Sequence, residues 1–101
     1  MQTITPTDRH PLFISQNEKF EVTVRSKASA GYLWQVWTPP ELDLVETRQE
    51  RVGAIDAFGG FPIVRYIFRR TAPGSCVIGL QEKRPWEAEG KSFIINVEDP
   101  E

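Results

Sequence analysis

The stretch EKFEVTVRS, residues 18–26, decides the fold because its apolar and polar residues alternate strictly. Phe20, Val22 and Val24 fall on one face, and the charged and hydroxyl residues between them fall on the other. A period of two is typical of a β-strand that buries one face and exposes the other. This stretch therefore predicts a half-buried strand.

Similar runs recur along the chain. They are, in order, PLFIS (11–15), YLWQVWT (32–38), LDLVETRQ (42–49), IVRYIFRRT (63–71), GSCVIGLQE (74–82) and KSFIINVE (91–98). Proline and glycine between the runs supply the backbone angles of turns. A helix is an alternative only over residues 39–54, and that segment lacks a clear apolar stripe.

About seven short strands separated by turns predict an all-β protein, an antiparallel β-sandwich of two layers. The inward faces of the runs predict its core: Phe20, Val22, Val24, Trp34, Val36, Val64, Tyr66, Phe68, Ile78, Leu80, Phe93, Ile95 and Val97.

Length and charge narrow the classes of function. A chain of 101 residues is expected to form a single domain, residues 1–101, with one modest core. The 12 basic and 14 acidic residues give a net charge of −2, so we expect no nucleic-acid partner. No run approaches the ~20 apolar residues of a membrane span. We expect a monomer that is cytoplasmic, or periplasmic or secreted if a leader has been removed.

The residues that carry most catalytic chemistry are scarce. His10 and Cys76 are the only histidine and the only cysteine, so a zinc site or a nucleophile–histidine couple lacks its members. Cys76 lies in an apolar run and is interpreted as a small buried hydrophobe. Glu87 and Glu89 lie in a turn without an apolar pocket, which favours a solvated acidic turn. We therefore predict no enzyme, no metal and no cofactor.

Three connections between the runs contain small residues, glycines or a tryptophan that folding alone does not require. They are SKASAGYLW (26–34), AFGGFP (57–62) and RPWE (84–87). Because they follow alternate strands, a Greek-key sandwich would gather them at one end. Glycine lets a backbone approach another closely, and a tryptophan stiffened by proline is a large anchor with a low entropic cost. The pattern predicts a protein-binding end.

At this point the chain resembles the chagasin family of inhibitors of papain-like cysteine peptidases, over residues 16–97. The family carries Asn-Pro-Thr-Thr-Gly followed by an aromatic residue, any residue and Trp, and residues 27–34 match this pattern as KASAGYLW. Its Gly-x-Gly-Gly corresponds to residues 57–60, AFGG, and its Arg-Pro-Trp or Arg-Pro-Phe to residues 84–86, RPW.

The resemblance implies an immunoglobulin-like sandwich whose three loops fill the active-site cleft of the peptidase reversibly, without reacting with it. It implies that these residues contact the enzyme: Lys27, Ala28, Ser29, Ala30, Gly31, Phe58, Gly59, Gly60, Phe61, Arg84, Pro85 and Trp86.

Departures from the family pattern leave an alternative open. Lys27 and Ala28 replace Asn-Pro, which loosens the first loop, and Ala30 lacks the hydroxyl of the family's threonine, whereas Ser29 keeps one. The alternative is a related sandwich that has lost peptidase inhibition and serves another protein interaction. A third hypothesis is a carbohydrate-binding sandwich with Tyr32, Trp37 and Trp86 as a stacking platform.

Overall fold

The computed structural model describes residues 1–8, 11–27, 30–51 and 62–100, and these residues form two β-sheets. The strands of the described residues are β1 (Gln2–Ile4), β2 (Leu12–Phe13), β3 (Lys19–Arg25), β4 (Leu33–Trp37), β5 (Leu42–Arg51), β6 (Pro62–Arg70), β7 (Cys76–Lys83) and β8 (Lys91–Glu98). One sheet has the order β1-β3-β6-β5 and the other β2-β8-β7-β4. The predicted β-sandwich is confirmed, and residues 39–51 contain the strand β5 and not a helix.

The edges of both sheets differ from the predicted antiparallel pattern. The short strands β1 and β2 pair in parallel with β3 and β8. The alternation rule did not find β1, because three residues are too few to show a period and only Ile4 in it is apolar and buried. In the part of the chain that the structure describes, no helix is long and apolar enough to cross a membrane.

The core lies between the two sheets and contains the inward side chains of both. Every predicted core residue either belongs to the buried cluster or packs against it. Phe20 and Phe68 stack across β3 and β6 with their ring centroids 5.4 Å apart. The cluster also includes residues that the sequence did not indicate: Ile4, Leu12, Ile14 and Leu42.

A buried arginine closes one end of the sandwich. Arg70, at the end of β6, is 1% exposed and continues the inward face of that strand. Its Nε donates to the carbonyl of Ile14 at 2.8 Å, and its Nη1 donates to those of Ala72 and Gly74 at 2.7 and 3.0 Å. Nη1 also lies 3.5 Å from Asp99 Oδ1. The arginine thereby links the loops at the end where β6 finishes.

Candidate functional site

The register of the strands brings the described residues that flank the three predicted loops to the other end of the sandwich. In one sheet, Arg25 at the end of β3 pairs with Ile63, and Arg51 at the end of β5 pairs with Pro62. In the other sheet, Leu33 at the start of β4 pairs with Lys83 at the end of β7. The connections β3–β4, β5–β6 and β7–β8 therefore all leave the sheets at the same end.

The first loop, residues 26–32, is closed by its own backbone. The carbonyl of Lys27 accepts hydrogen bonds from the backbone N–H of Ala30, at 2.9 Å, and of Tyr32, at 3.2 Å. Gly31 has φ = +89°, a conformation that residues with a Cβ rarely adopt, and this lets the chain turn back into β4. Ala28 and Ser29 lie outside the described residues.

The third loop contains a four-residue turn that explains the order Arg-Pro-Trp. The N–H of Glu87 donates to the carbonyl of Arg84 at 3.0 Å, and Glu87 Oε1 accepts from the N–H of Arg84, also at 3.0 Å. Pro85 takes the second position of the turn, where its fixed φ is favourable. Lys83 Nζ donates to the carbonyl of Glu87 at 3.1 Å. This turn presents Trp86 with 72% of its surface exposed.

The first and third loops contact each other through Trp86 and Arg84. A Cβ on Gly31 would lie 2.8 Å from the Cη2 atom of Trp86, so the indole occupies the space that a side chain would need. Arg84 Nε donates to the carbonyl of Ala30 at 3.0 Å. The guanidinium carbon of Arg84 lies 4.3 Å from the ring centroid of Tyr32 and 5.8 Å from that of Trp86. Stacking of a cation on aromatic rings adds to the contact between the loops.

The residue that follows the second loop contacts the start of the first loop. Phe58, Gly59, Gly60 and Phe61 lie outside the described residues. Pro62, directly after them, accepts a hydrogen bond at 2.8 Å from the N–H of Ser26, at the start of the first loop. The exit of the second loop therefore lies next to the entrance of the first.

Two residues of this surface were not among the predicted contacts. Tyr32 receives the Arg84 guanidinium, and Glu87 caps the turn instead of only facing solvent. The signal for Tyr32 was present, since an aromatic residue directly after the glycine belongs to the resembling motif. The signal for Glu87 was its position three residues after Arg84, the spacing that closes a four-residue turn.

The described part of this end contains no arrangement typical of a metal centre. Among residues 1–8, 11–27, 30–51 and 62–100, no group of three or more His, Cys, Asp and Glu side chains is placed to hold a metal ion. His10 lies outside these ranges. The geometry there is that of an exposed aromatic anchor braced by a neighbouring loop, an arrangement suited to contact with another macromolecule.

A two-sheet sandwich that presents its loops at one end is built like the immunoglobulin-like binding domains. Residues 14–97 match the chagasin family of peptidase inhibitors, I42. Because this match spans most of the chain, the protein belongs to that family. A comparison with curated protein sequences finds no match.

Two solved structures are similar to this chain. One is the cysteine protease inhibitor EhICP2 from Entamoeba histolytica, with a TM-score of 0.84 and 26% sequence identity, covering 97% of this chain and 94% of that one. The other is amebosin, with a TM-score of 0.74 and 20% identity, covering 98% of each chain. At this lower identity, the likeness to amebosin concerns the fold.

Proposed function

We propose that the chain is a reversible, non-covalent inhibitor of papain-like cysteine peptidases and that it acts as a single-domain monomer. The contacting residues would be Lys27, Ala28, Ser29, Ala30 and Gly31 of the first loop, Phe58, Gly59, Gly60 and Phe61 of the second, and Arg84, Pro85 and Trp86 of the third. Membership of a peptidase-inhibitor family and the similarity to a cysteine protease inhibitor support this proposal.

The observation that carries the proposal is the contact between the first and third loops. Trp86 packs on Gly31, and Arg84 is hydrogen-bonded to Ala30. A loop that is ordered before binding loses less entropy when it binds. The first loop lacks the family's proline at position 28, and the brace from the third loop offsets that loss.

Inhibition by this surface would need no catalytic group. A wedge that occupies the cleft excludes the substrate by its volume, and an inhibitor of this kind forms no covalent bond with the peptidase. The affinity would come from shape complementarity and from a few anchors, with the exposed indole of Trp86 as the largest among the described residues. We therefore propose a protein that is not an enzyme and needs neither a metal nor a cofactor.

The test is a titration of the purified chain against papain and one cathepsin, with a fluorogenic peptide as substrate. We expect tight, reversible inhibition in the nanomolar range, on the order of −12 kcal/mol. Trp86→Ala should weaken it at least about 30-fold, since truncating an anchor costs about 2 kcal/mol or more. No inhibition by the wild-type chain at micromolar concentration would contradict the proposal.

Trp37→Ala is the matched control for that variant. Trp37 is 51% exposed but lies on the outer face of the sheet, at the end of β4 away from the loops. Its removal should leave inhibition unchanged. Equal losses in the two variants would mean that Trp86 is no specific anchor.

The carbohydrate hypothesis gains no support from the aromatic side chains. Trp37 packs over Gly79 on the sheet face, whereas Trp86 lies in the β7–β8 loop. The ring of Tyr32 is contacted by the Arg84 guanidinium. These three rings therefore do not form one flat platform for a sugar.

A further inference from the structure

A cleft of about 370 Å³ opens beside the first loop, between the N-terminal segment and the ends of the two sheets. It lies near the proposed peptidase-binding surface but is lined largely by different residues. The lining residues that matter here are Arg25, Lys27, Trp34, Glu82, Lys91 and Phe93.

The cleft contains a buried carboxylate with an unused oxygen. Glu82 is 6% exposed, and its Oε2 accepts no hydrogen bond from any residue that the structure describes. Buried polar atoms are nearly always hydrogen-bonded, and an unpaired charged group is the most costly exception. The unpaired oxygen of Glu82 at this cleft points to a ligand that supplies its partner.

The neighbours of Glu82 indicate the chemistry of that ligand. Strand pairing aligns Trp34, Glu82 and Lys91 in one row across β4, β7 and β8. Directly opposite residues project their side chains to the same face of a sheet. Phe93 extends the aromatic wall, with its ring centroid 5.8 Å from that of Trp34. An acid, a base and an apolar wall therefore lie side by side.

We propose that this cleft binds a free α-amino acid with an apolar side chain. The ammonium group of the ligand would donate to Glu82 Oε2, and its carboxylate would accept from the ammonium group of Lys91. Both ligand groups sit on one carbon atom, which suits two side chains opposite each other on neighbouring strands. The apolar side chain would pack on Trp34 and Phe93.

Size and charge agree with a small zwitterion. Ligand pockets span roughly 300–1,000 Å³, and this cleft lies near the lower limit of that range. Arg25, Lys27 and Lys91 at the cleft favour the carboxylate, whereas an amine without a carboxylate would meet three like charges. This inference does not depend on the proposed function, since Lys27 is the one residue that the cleft shares with the proposed peptidase contacts.

The experiment is an NMR titration of the ¹⁵N-labelled full-length chain with L-phenylalanine, without any peptidase. We expect saturable shifts of the Trp34 indole resonance and of the backbone amides of Glu82 and Lys91. Phenethylamine lacks the carboxylate and 3-phenylpropanoate lacks the ammonium group. Each of these two compounds should bind at least about tenfold more weakly than L-phenylalanine, because one charged hydrogen bond is lost.

Glu82→Gln tests the carboxylate with almost no change in shape, and it should weaken L-phenylalanine about tenfold. Glu46→Gln is the matched control, because Glu46 is exposed on the other sheet and pairs with Arg48. Lys91→Met tests the base independently in case the first variant does not fold. The proposal is overturned if L-phenylalanine gives no saturable shift at millimolar concentration. It is also overturned if phenethylamine binds equally well, or if the folded site variants bind like the wild type.

Discussion

Gly31 is the residue at which the first and third loops meet, and both its backbone angle and its contact with Trp86 require a glycine. Its φ of +89° disfavours any residue with a Cβ, and that Cβ would lie 2.8 Å from the indole of Trp86. Gly31→Ala should therefore destabilise the fold by about 1–2 kcal/mol through backbone strain. It should also displace Trp86, which changes the tryptophan fluorescence and weakens peptidase inhibition. Urea unfolding and the inhibition assay measure the two effects separately.

Gly74→Ala is the control that separates strain from displacement. Gly74 has φ = +110°, and a Cβ there would meet no atom within 4 Å. This variant should also lose stability, but Trp86 and the inhibition constant should not change. If both alanine variants inhibit like the wild type, Gly31 does not position the indole.

Cys76 shows how burial controls the chemistry of a single residue. The thiol is partly buried and packs against the core, and this burial raises the pKa of Cys76. Because the thiolate is the reactive form, iodoacetamide should modify the native chain more slowly than the urea-unfolded chain at the same pH. Mass spectrometry at timed intervals measures both rates, and equal rates would contradict the burial of the thiol.

The same shift has a consequence for stability against pH. A thiol with a raised pKa in the folded state contributes its full stability below the pKa of the unfolded thiol, roughly 8.5. That contribution is lost as the pH rises through the folded value. Cys76→Ser should therefore reduce the loss of stability that the wild-type chain shows in alkaline solution. Urea midpoints of the two chains over a pH series measure the difference.

At the scale of elements, the β7–β8 hairpin is a support for the β3–β4 loop. The Nε of Arg84 donates a hydrogen bond to the carbonyl of Ala30, and its planar guanidinium lies over the ring of Tyr32. Lysine keeps the charge but has neither the Nε donor nor the planar group. Arg84→Lys should therefore weaken inhibition several-fold and speed hydrogen exchange at the amides of Ala30 and Tyr32, which close the first loop.

Arg69→Lys is the matched control for that change. Arg69 is exposed near the far end of β6, away from the loops. The Arg69→Lys variant should leave both the inhibition constant and the hydrogen exchange of the Ala30 and Tyr32 amides unchanged. If Arg84→Lys also leaves the inhibition constant and the amide exchange unchanged, the β7–β8 hairpin does not order the first loop.

The strands that could be predicted from the sequence are those whose apolar and polar residues alternate without interruption. In β3 the structure buries Glu21 as well, so its outer face is less exposed than the alternation predicts. Residues 18–26 and 91–98 predicted β3 and β8 almost to their ends, because each strand covers the core on one face. β5 shows why the pattern weakened after Leu44. Its register shifts between Leu44 and Glu46, and such a bulge breaks the period of two. The parallel pairing of β1 depends on a partner distant in sequence, so no local pattern contains it.

The sequence predicted which residues belong to the candidate site but not which of them contact each other. Turn residues and the family pattern indicated Gly31 and Trp86 separately. That the indole rests on the glycine depends on how β4 and β7 pair, and no spacing within one loop contains that information. The buried Glu82 is a similar case. The sequence predicts Glu82 only as the last residue of a strand, whereas its burial depends on the pairing of β7 with β4 and β8, which places Trp34 and Lys91 beside it.

At the scale of the whole molecule, the two ends of the sandwich have different tasks. One end presents the loops, and the other is closed by Arg70, whose contacts join Ile14, Ala72 and Gly74. The sheets between them are held by the shared core. Changes at the closed end should therefore alter stability without altering the loop surface, provided that the chain stays folded.

Arg70→Lys tests this division. A lysine ammonium cannot replace both the Nε and the Nη1 of arginine, so carbonyl groups at the closed end lose their donors while a buried charge remains. We expect a loss of about 2–4 kcal/mol in the free energy of unfolding, measured in urea. Because the loops lie at the other end of β6, the folded variant should inhibit the peptidase like the wild type. A loss of inhibition at concentrations where circular dichroism shows the native fold would mean that the two ends are coupled through the sheets.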